Sequence, residues 1–283
     1  MKGRLPEAVL VLVTIIWGGT FLATRVALGG IGPFTLMFLR FALGAVLVGL
    51  FVRKRPTGAE LQGGLLIALV TAIAIGSQTV GLRTVESGRA AFLTALYVPL
   101  VPLLQGPLTG RHPTGGMILG AALAFAGLMA LSSGGDLSLR FGMGEALMLV
   151  GALASALQIV LVGRFASTDN APALTAVQLA GVAMLALSGA ATEGMHATTL
   201  GLTLAVGLGV FGTAAALFAM NWAQRTVSPS RATLIYALEP VWAALFGALA
   251  GEHLGLWGAV GGGLVVAGAL VGEILPDRQT ATV

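Results

Sequence analysis

The sequence predicts an all-α integral membrane protein whose ten transmembrane helices form two inverted five-helix repeats (5+5), both termini lying in the cytoplasm. Three observations predict this: a composition that cannot cover a hydrated surface, ten apolar runs of spanning length, and an internal repeat of about half the chain.

Hydrophobic residues make up 57% of the 283 positions and charged residues 9%, with a mean hydropathy of +0.95. A water-facing domain carries about a quarter charged residues. No Asp, Glu, Lys or Arg occurs from Leu61 to Leu82, from Ala90 to Gly110, or from Pro113 to Gly135. A helix needs roughly 20 apolar residues to cross a hydrocarbon core about 30 Å thick. The runs place spans at 8–28, 33–52, 62–82, 89–108, 114–132, 143–163, 172–191, 199–222, 231–250 and 255–274. Alternation of polar and apolar residues, which would mark a barrel, is absent. The run from Ala8 follows Lys2 and Arg4, and is read as the first span rather than a cleaved leader.

Charge orients the bundle. Ten Lys and Arg fall on the side of the two termini and of loops 2–3, 4–5, 6–7 and 8–9; four fall on the other side, and Arg40 lies within a span. Cytoplasmic loops collect basic residues, so the termini are expected in the cytoplasm. The pI near 10.3 reflects this topology and not nucleic-acid binding, since no basic cluster exceeds Arg53-Lys54-Arg55. With no cysteine, disulfides and thiolate ligands are excluded. Thirteen arginines against two lysines, with abundant Ala and Gly, suggest a GC-rich bacterial source and a cytoplasmic (inner) membrane location.

The segment 83–96 recurs at an offset of 142 with seven of fourteen positions identical, among them Arg83/Arg225 and Arg89/Arg231. After a one-residue slip, Pro99 matches Pro240, Gly110 matches Gly251, His112 matches His253, Gly120 matches Gly261 and Gly127 matches Gly268. Earlier spans match more weakly, through Glu7/Glu145 and Pro33/Pro172. The expected units are therefore 1–140 and 141–283. Five spans is an odd number, so the second unit enters the membrane inverted. That architecture belongs to secondary carriers with a midplane site between the repeats.

Trp17-Gly18-Gly19-Thr20-Phe21, Phe38-Leu39-Arg40-Phe41, and Glu239-Pro240-Val241-Trp242 followed by Gly251-Glu252-His253 resemble the signatures of the drug/metabolite transporter superfamily, EamA branch. The resemblance covers essentially the whole chain. Within that superfamily the chain is most similar to exporters of aromatic and other hydrophobic amino acids. The repeats differ where Arg111 stands in place of Glu252, and Tyr97-Val98-Pro99 carries no acid.

Polar groups at depth must face a cavity or a partner, because an unpaired one in hydrocarbon costs several kcal/mol. Span 1 offers Trp17, Thr20 and Phe21 as substrate-binding candidates, span 3 Gln78, and span 4 Thr94 and Tyr97. The second half offers Gln158, Asn221, Tyr236, Glu239 and Trp242. For the amides, interhelical hydrogen bonding is the competing role. Glu239 serves either in proton coupling or recognition of a substrate amino group, or as a protonated or paired acid beside a helix break. Arg40 is expected to tie helices together, given the cost of a charge at helix centre. Pro240 leaves the Tyr236 carbonyl without its helical donor, and Pro99 acts likewise in span 4; these two, with Gly18 and Gly19, are the expected hinges. Small-residue faces in spans 5 and 10 (Gly116/Gly120, Gly258/Gly262, Gly268/Gly272) suit close packing within the chain, or alternatively a homodimer.

Both lysines lie outside the spans, which disfavours phosphorylated cargo, because a phosphate needs several cations at depth. An apolar cavity with amides, hydroxyls and aromatic walls suits small amphipathic solutes such as aromatic and other hydrophobic amino acids, or neutral drugs. An intramembrane enzyme would need a nucleophile–base pair or metal cluster at depth, and His112, His196 and His253 all fall in loops. A channel would show a continuous polar face. The expectation is a carrier with no catalytic residues, no cofactor and no metal.

Overall fold

The computed structural model describes residues 4–85, 87–110, 112–133, 142–166, 170–194, 196–249 and 256–274. The Gly251-Glu252-His253 motif, Arg111, the boundary between the expected units and the chain termini lie outside these. Among the described residues the structure is all-helical, with one isolated β-bridge, Ile31–Ala197.

Helices fall on all ten expected spans: α1 (Leu5–Ala27), α2 (Pro33–Gly49), α3 (Gly58–Gly81), the pair α4 (Ser87–Thr94) and α5 (Tyr97–Thr109), α6 (Gly115–Ser133), α7 (Met143–Phe165) and α8 (Ala171–Thr192). The eighth span is α9 (Thr199–Gly207), a π turn (Leu208–Ala215) and α10 (Ala216–Ala223); the ninth is α11 (Pro229–Tyr236) plus α12 (Glu239–Leu249); the tenth is α13 (Leu256–Ile274). Six of these spans are long and apolar enough to cross a bilayer over 20–25 residues. Leu12, Val46, Leu65, Met184, Phe211 and Leu270 point outward. A soluble protein rarely exposes so much contiguous apolar surface; here it is the lipid-facing belt of a multi-pass membrane protein.

Local chemistry sets the ends. Pro33 opens α2, Pro229 opens α11 behind a Ser228 cap, and Thr57 with Glu60 forms a capping box on α3; each uses or satisfies amides that the first helical turn leaves free. The α2 terminus is capped from a distance. The Glu193 carboxylate accepts from Phe34 N (3.1 Å), Thr35 N (2.9 Å) and Thr35 Oγ1 (2.9 Å), while Thr198 N donates to Gly30 O at 2.8 Å. Together with the Ile31–Ala197 bridge, these bonds clasp the corner between spans 1 and 2 to the corner between spans 7 and 8.

Span 5 lies along span 10, span 2 along span 7, and span 3 along spans 6 and 7; span 1 packs on spans 8 and 9. The first of these seams is made by glycines. A methyl on Gly120 would sit 2.6 Å from Gly268 O, and one on Gly127 2.6 Å from Gly261 O, so neither position admits a side chain. Gly120, Gly127 and Gly268 are thus covered within one chain, and no second copy is needed to bury them. Between spans 7, 8 and 3 lies a buried polar knot. Asn221 Nδ2 donates to Thr175 Oγ1 and Gln178 Oε1, both at 2.9 Å, and Gln178 Nε2 donates to Thr71 Oγ1 at 3.0 Å.

Candidate functional site

Two spans are interrupted at mid-depth. Span 4 breaks between Thr94 and Tyr97, span 9 between Tyr236 and Glu239. Each break is followed at once by a proline, Pro99 or Pro240, which accounts for the lost helical hydrogen bond. Residues flanking the two breaks meet. Tyr97 Oη donates to the carbonyl of Tyr236 at 3.1 Å, the acceptor that Pro240 cannot serve, and lies 3.4 Å from Glu239 Oε2. Glu239 opens α12, where the unpaired amides of a helix N-terminus favour an acceptor.

The π turn of span 8 supplies the facing wall. Its wider turn leaves the Gly212 carbonyl to accept from Trp17 Nε1 at 3.1 Å and sets Thr213 Oγ1 to accept from Arg40 Nε at 2.8 Å. Such turns in α-helices frequently mark functional sites. The Trp17 ring is tilted against Tyr236, centroids 5.5 Å apart, and the Arg40 guanidinium lies over Phe41 at 5.6 Å. Arg40 therefore bonds α2 to span 8 and also reaches the cavity wall. Among the described residues it forms no ion pair with Glu239.

These groups enclose a cavity of about 80 Å³. Its lining includes Trp17, Thr20, Phe21, Gln78, Thr94, Tyr97, Gln158, Tyr236 and Glu239, nine of the eleven substrate-binding candidates. Gln78 Nε2 donates to Thr94 Oγ1 at 3.3 Å, and Thr20 bonds back to Trp17 O at 2.8 Å. Gln158, 6% exposed, makes no hydrogen bond among the described residues, so it does not tie helices there.

Two candidates stand elsewhere. Asn221 belongs to the polar knot, where its Nδ2 is held between helices. Trp242 Nε1 donates to Thr14 Oγ1 at 3.1 Å and packs α12 on α1. At Gly18 a methyl would come within 2.7 Å of Trp242 Cβ and 3.0 Å of Glu239 O; that glycine is a close-approach point between spans 1 and 9. Gly19 is roomier, with Phe246 carbons at 3.8 Å and beyond. Sequence reading missed Thr24, Ser155 and Gly212 in the lining. Ser155 was accessible through the repeat, since the Glu7/Glu145 match places it opposite Trp17.

A multi-span helical bundle with broken helices around a mid-depth cavity is the build of a small-molecule carrier. Residues 5–133 and 142–272 each match the EamA-like transporter family, and the chain belongs to that family. It is 33% identical over 250 residues to an Escherichia coli K12 protein named as the uncharacterized inner membrane transporter YedA, covering 85% of this chain and 81% of that one. It is 29% identical over 240 residues to an uncharacterized transporter of Archaeoglobus fulgidus, covering 84% and 75%. A solved crystal structure shares the fold, with a TM-score of 0.81 at 20% identity over 96% of this chain and 99% of that one. The protein is thus a multi-pass membrane transporter of small molecules.

Proposed function

We propose that the protein exports small amphipathic metabolites, foremost aromatic and other hydrophobic amino acids, by alternating access at the mid-depth cavity. The observation that carries this reading is the junction of the two proline-broken spans, where Tyr97, Tyr236 and Glu239 meet beside Trp17. It offers aromatic walls, one carboxylate for an ammonium group, and a single buried cation, Arg40. The cavity is far smaller than the roughly 300–1,000 Å³ of an ordinary ligand pocket, so binding goes with a parting of its walls.

The carrier reading includes two inverted repeats, residues 1–140 and 141–283, with both termini in the cytoplasm of a bacterial inner membrane. Three features support it. The breaks in spans 4 and 9 fall at the same offset of 142. The glycines matched by the repeat pack crosswise, Gly120 on Gly268 and Gly127 on Gly261, as a two-fold relation requires. Basic residues gather at one end. In this reading Glu239 either binds the substrate ammonium or carries a coupled proton. Export of neutral drugs is the second reading, favoured by the absence of a fixed ion pair in the cavity lining.

Proteoliposomes test it by flux of radiolabelled phenylalanine, leucine and a neutral drug, with and without a pH gradient. Phenylalanine flux whose apparent affinity weakens in Trp17→Ala supports the reading; drug flux alone, or unaltered affinity for every solute, overturns it. A gradient dependence that survives Glu239→Gln removes the proton role and leaves the ammonium role.

A further inference from the structure

A second cavity, about 430 Å³, lies at the arginine-rich end of the bundle, where α5, α7 and the turn between α10 and α11 meet. It is of ligand size, unlike the mid-depth cavity. Among the described residues its polar lining includes Arg164, Arg225, Gln224, Thr226 and Ser228, and no Asp or Glu. Arg164 is held in place, Nη1 donating to Leu108 O at 3.3 Å with the guanidinium 5.6 Å above the Phe165 ring. Arg225 is exposed, its backbone N donates to Trp222 O at 3.4 Å, and its guanidinium makes no hydrogen bond or ion pair among the described residues. Two guanidinium groups with no acid among the described residues of the same wall attract an anion, and a carboxylate matches their paired N–H geometry.

Gln224 divides this cavity from the other. It is 3% exposed, and its Nε2 donates to Tyr236 Oη at 3.1 Å, while Tyr236 lines the mid-depth cavity. The other end of the amide, Oε1, is buried with no partner among the described residues. An unsatisfied buried group of this kind calls for an explanation, and the ammonium of a passing amino acid would satisfy it. We propose that the second cavity is an entry site that takes the carboxylate of the transported molecule between Arg164 and Arg225, one hydrogen-bonded pair, Gln224–Tyr236, away from the mid-depth cavity. This rests on the carrier reading above and adds a second binding site to it.

The chain has no cysteine, so Thr226→Cys in the full-length protein, held in phosphatidylcholine nanodiscs, gives a single reporter in the cavity wall. The anionic 2-sulfonatoethyl methanethiosulfonate should label it about tenfold faster than the cationic 2-trimethylammonioethyl reagent, relative to their rates with a free thiol, as a focused positive field predicts. Adding Arg225→Gln should bring that ratio back towards one. Phenylacetate and phenylalanine should slow labelling; phenethylamine, which lacks the carboxylate, should not. An unbiased ratio, or protection by inorganic phosphate as strong as by phenylacetate, overturns the site. If phenylalanine is transported but does not slow labelling, this inference fails and the carrier reading stands. If both carboxylates protect but neither is transported, the amino-acid reading fails instead and with it the entry role.

Discussion

Tyr97 Oη replaces a missing backbone donor, and that role can be measured. Tyr97→Phe removes one hydroxyl and leaves the ring. It strips the Tyr236 carbonyl of its 3.1 Å donor and Glu239 Oε2 of its 3.4 Å neighbour. Both tyrosines are buried, 4% and 0% exposed. A stranded buried acceptor costs about 1–3 kcal/mol. Pro240→Ala returns an N–H four residues beyond Tyr236, where a continuous helix would use it. On that background the hydroxyl is less needed, and the cost of Tyr97→Phe should fall by about 1 kcal/mol. Thermal unfolding of the four proteins in one detergent completes the cycle, at about 2–4 °C per kcal/mol for a chain of this order. Additivity within about 0.5 kcal/mol would show that the hydroxyl does not serve the carbonyl freed by Pro240, and would refute the account of the break.

Other perturbations follow from the same geometry. Gly127→Val drives a side chain onto the Gly261 and Val265 backbone and should destabilise by about 1–3 kcal/mol; Gly263→Val, with no atom within 4 Å of the added carbon, should leave the unfolding temperature unmoved. Asn221→Leu unseats two buried hydrogen bonds, so it should cost about 1–3 kcal/mol in thermal unfolding while the apparent affinity for transported solute stays at the wild-type value. Glu193→Ala uncaps α2 and should lower stability by about 1 kcal/mol, read by the same assay, with Glu193→Gln losing less because its amide oxygen still accepts.

The spans were legible because charge-free runs and helix length are both one-dimensional. The two breaks were legible because proline announces them: Pro240 by itself leaves the carbonyl of Tyr236 without its helical donor. Depth within a span was also readable, which is why Trp17, Tyr97, Tyr236 and Glu239 come together. What the sequence does not give is the direction in which a residue faces around its helix. Asn221 and Gln158 are both amides at depth; one faces a seam and the other a cavity. The π turn left no signal either, since Gly207, Gly209 and Gly212 suit an α-helix as well as a wider turn. The capping role of Glu193 left no local signal, because the helix it caps is 158 residues away in sequence.

The Glu193 clasp has a consequence for how such a machine could be divided. It fastens a corner from the first half of the chain to a corner from the second, and the glycine seam does the same for spans 5 and 10. Neither half is a self-sufficient body: separated, each would present a bare helix start or a stripe of naked backbone to lipid. On the alternating-access reading proposed above, whatever swings during a transport cycle is therefore assembled from spans of both halves, and the boundary between its moving bodies runs across the polypeptide's midpoint rather than along it.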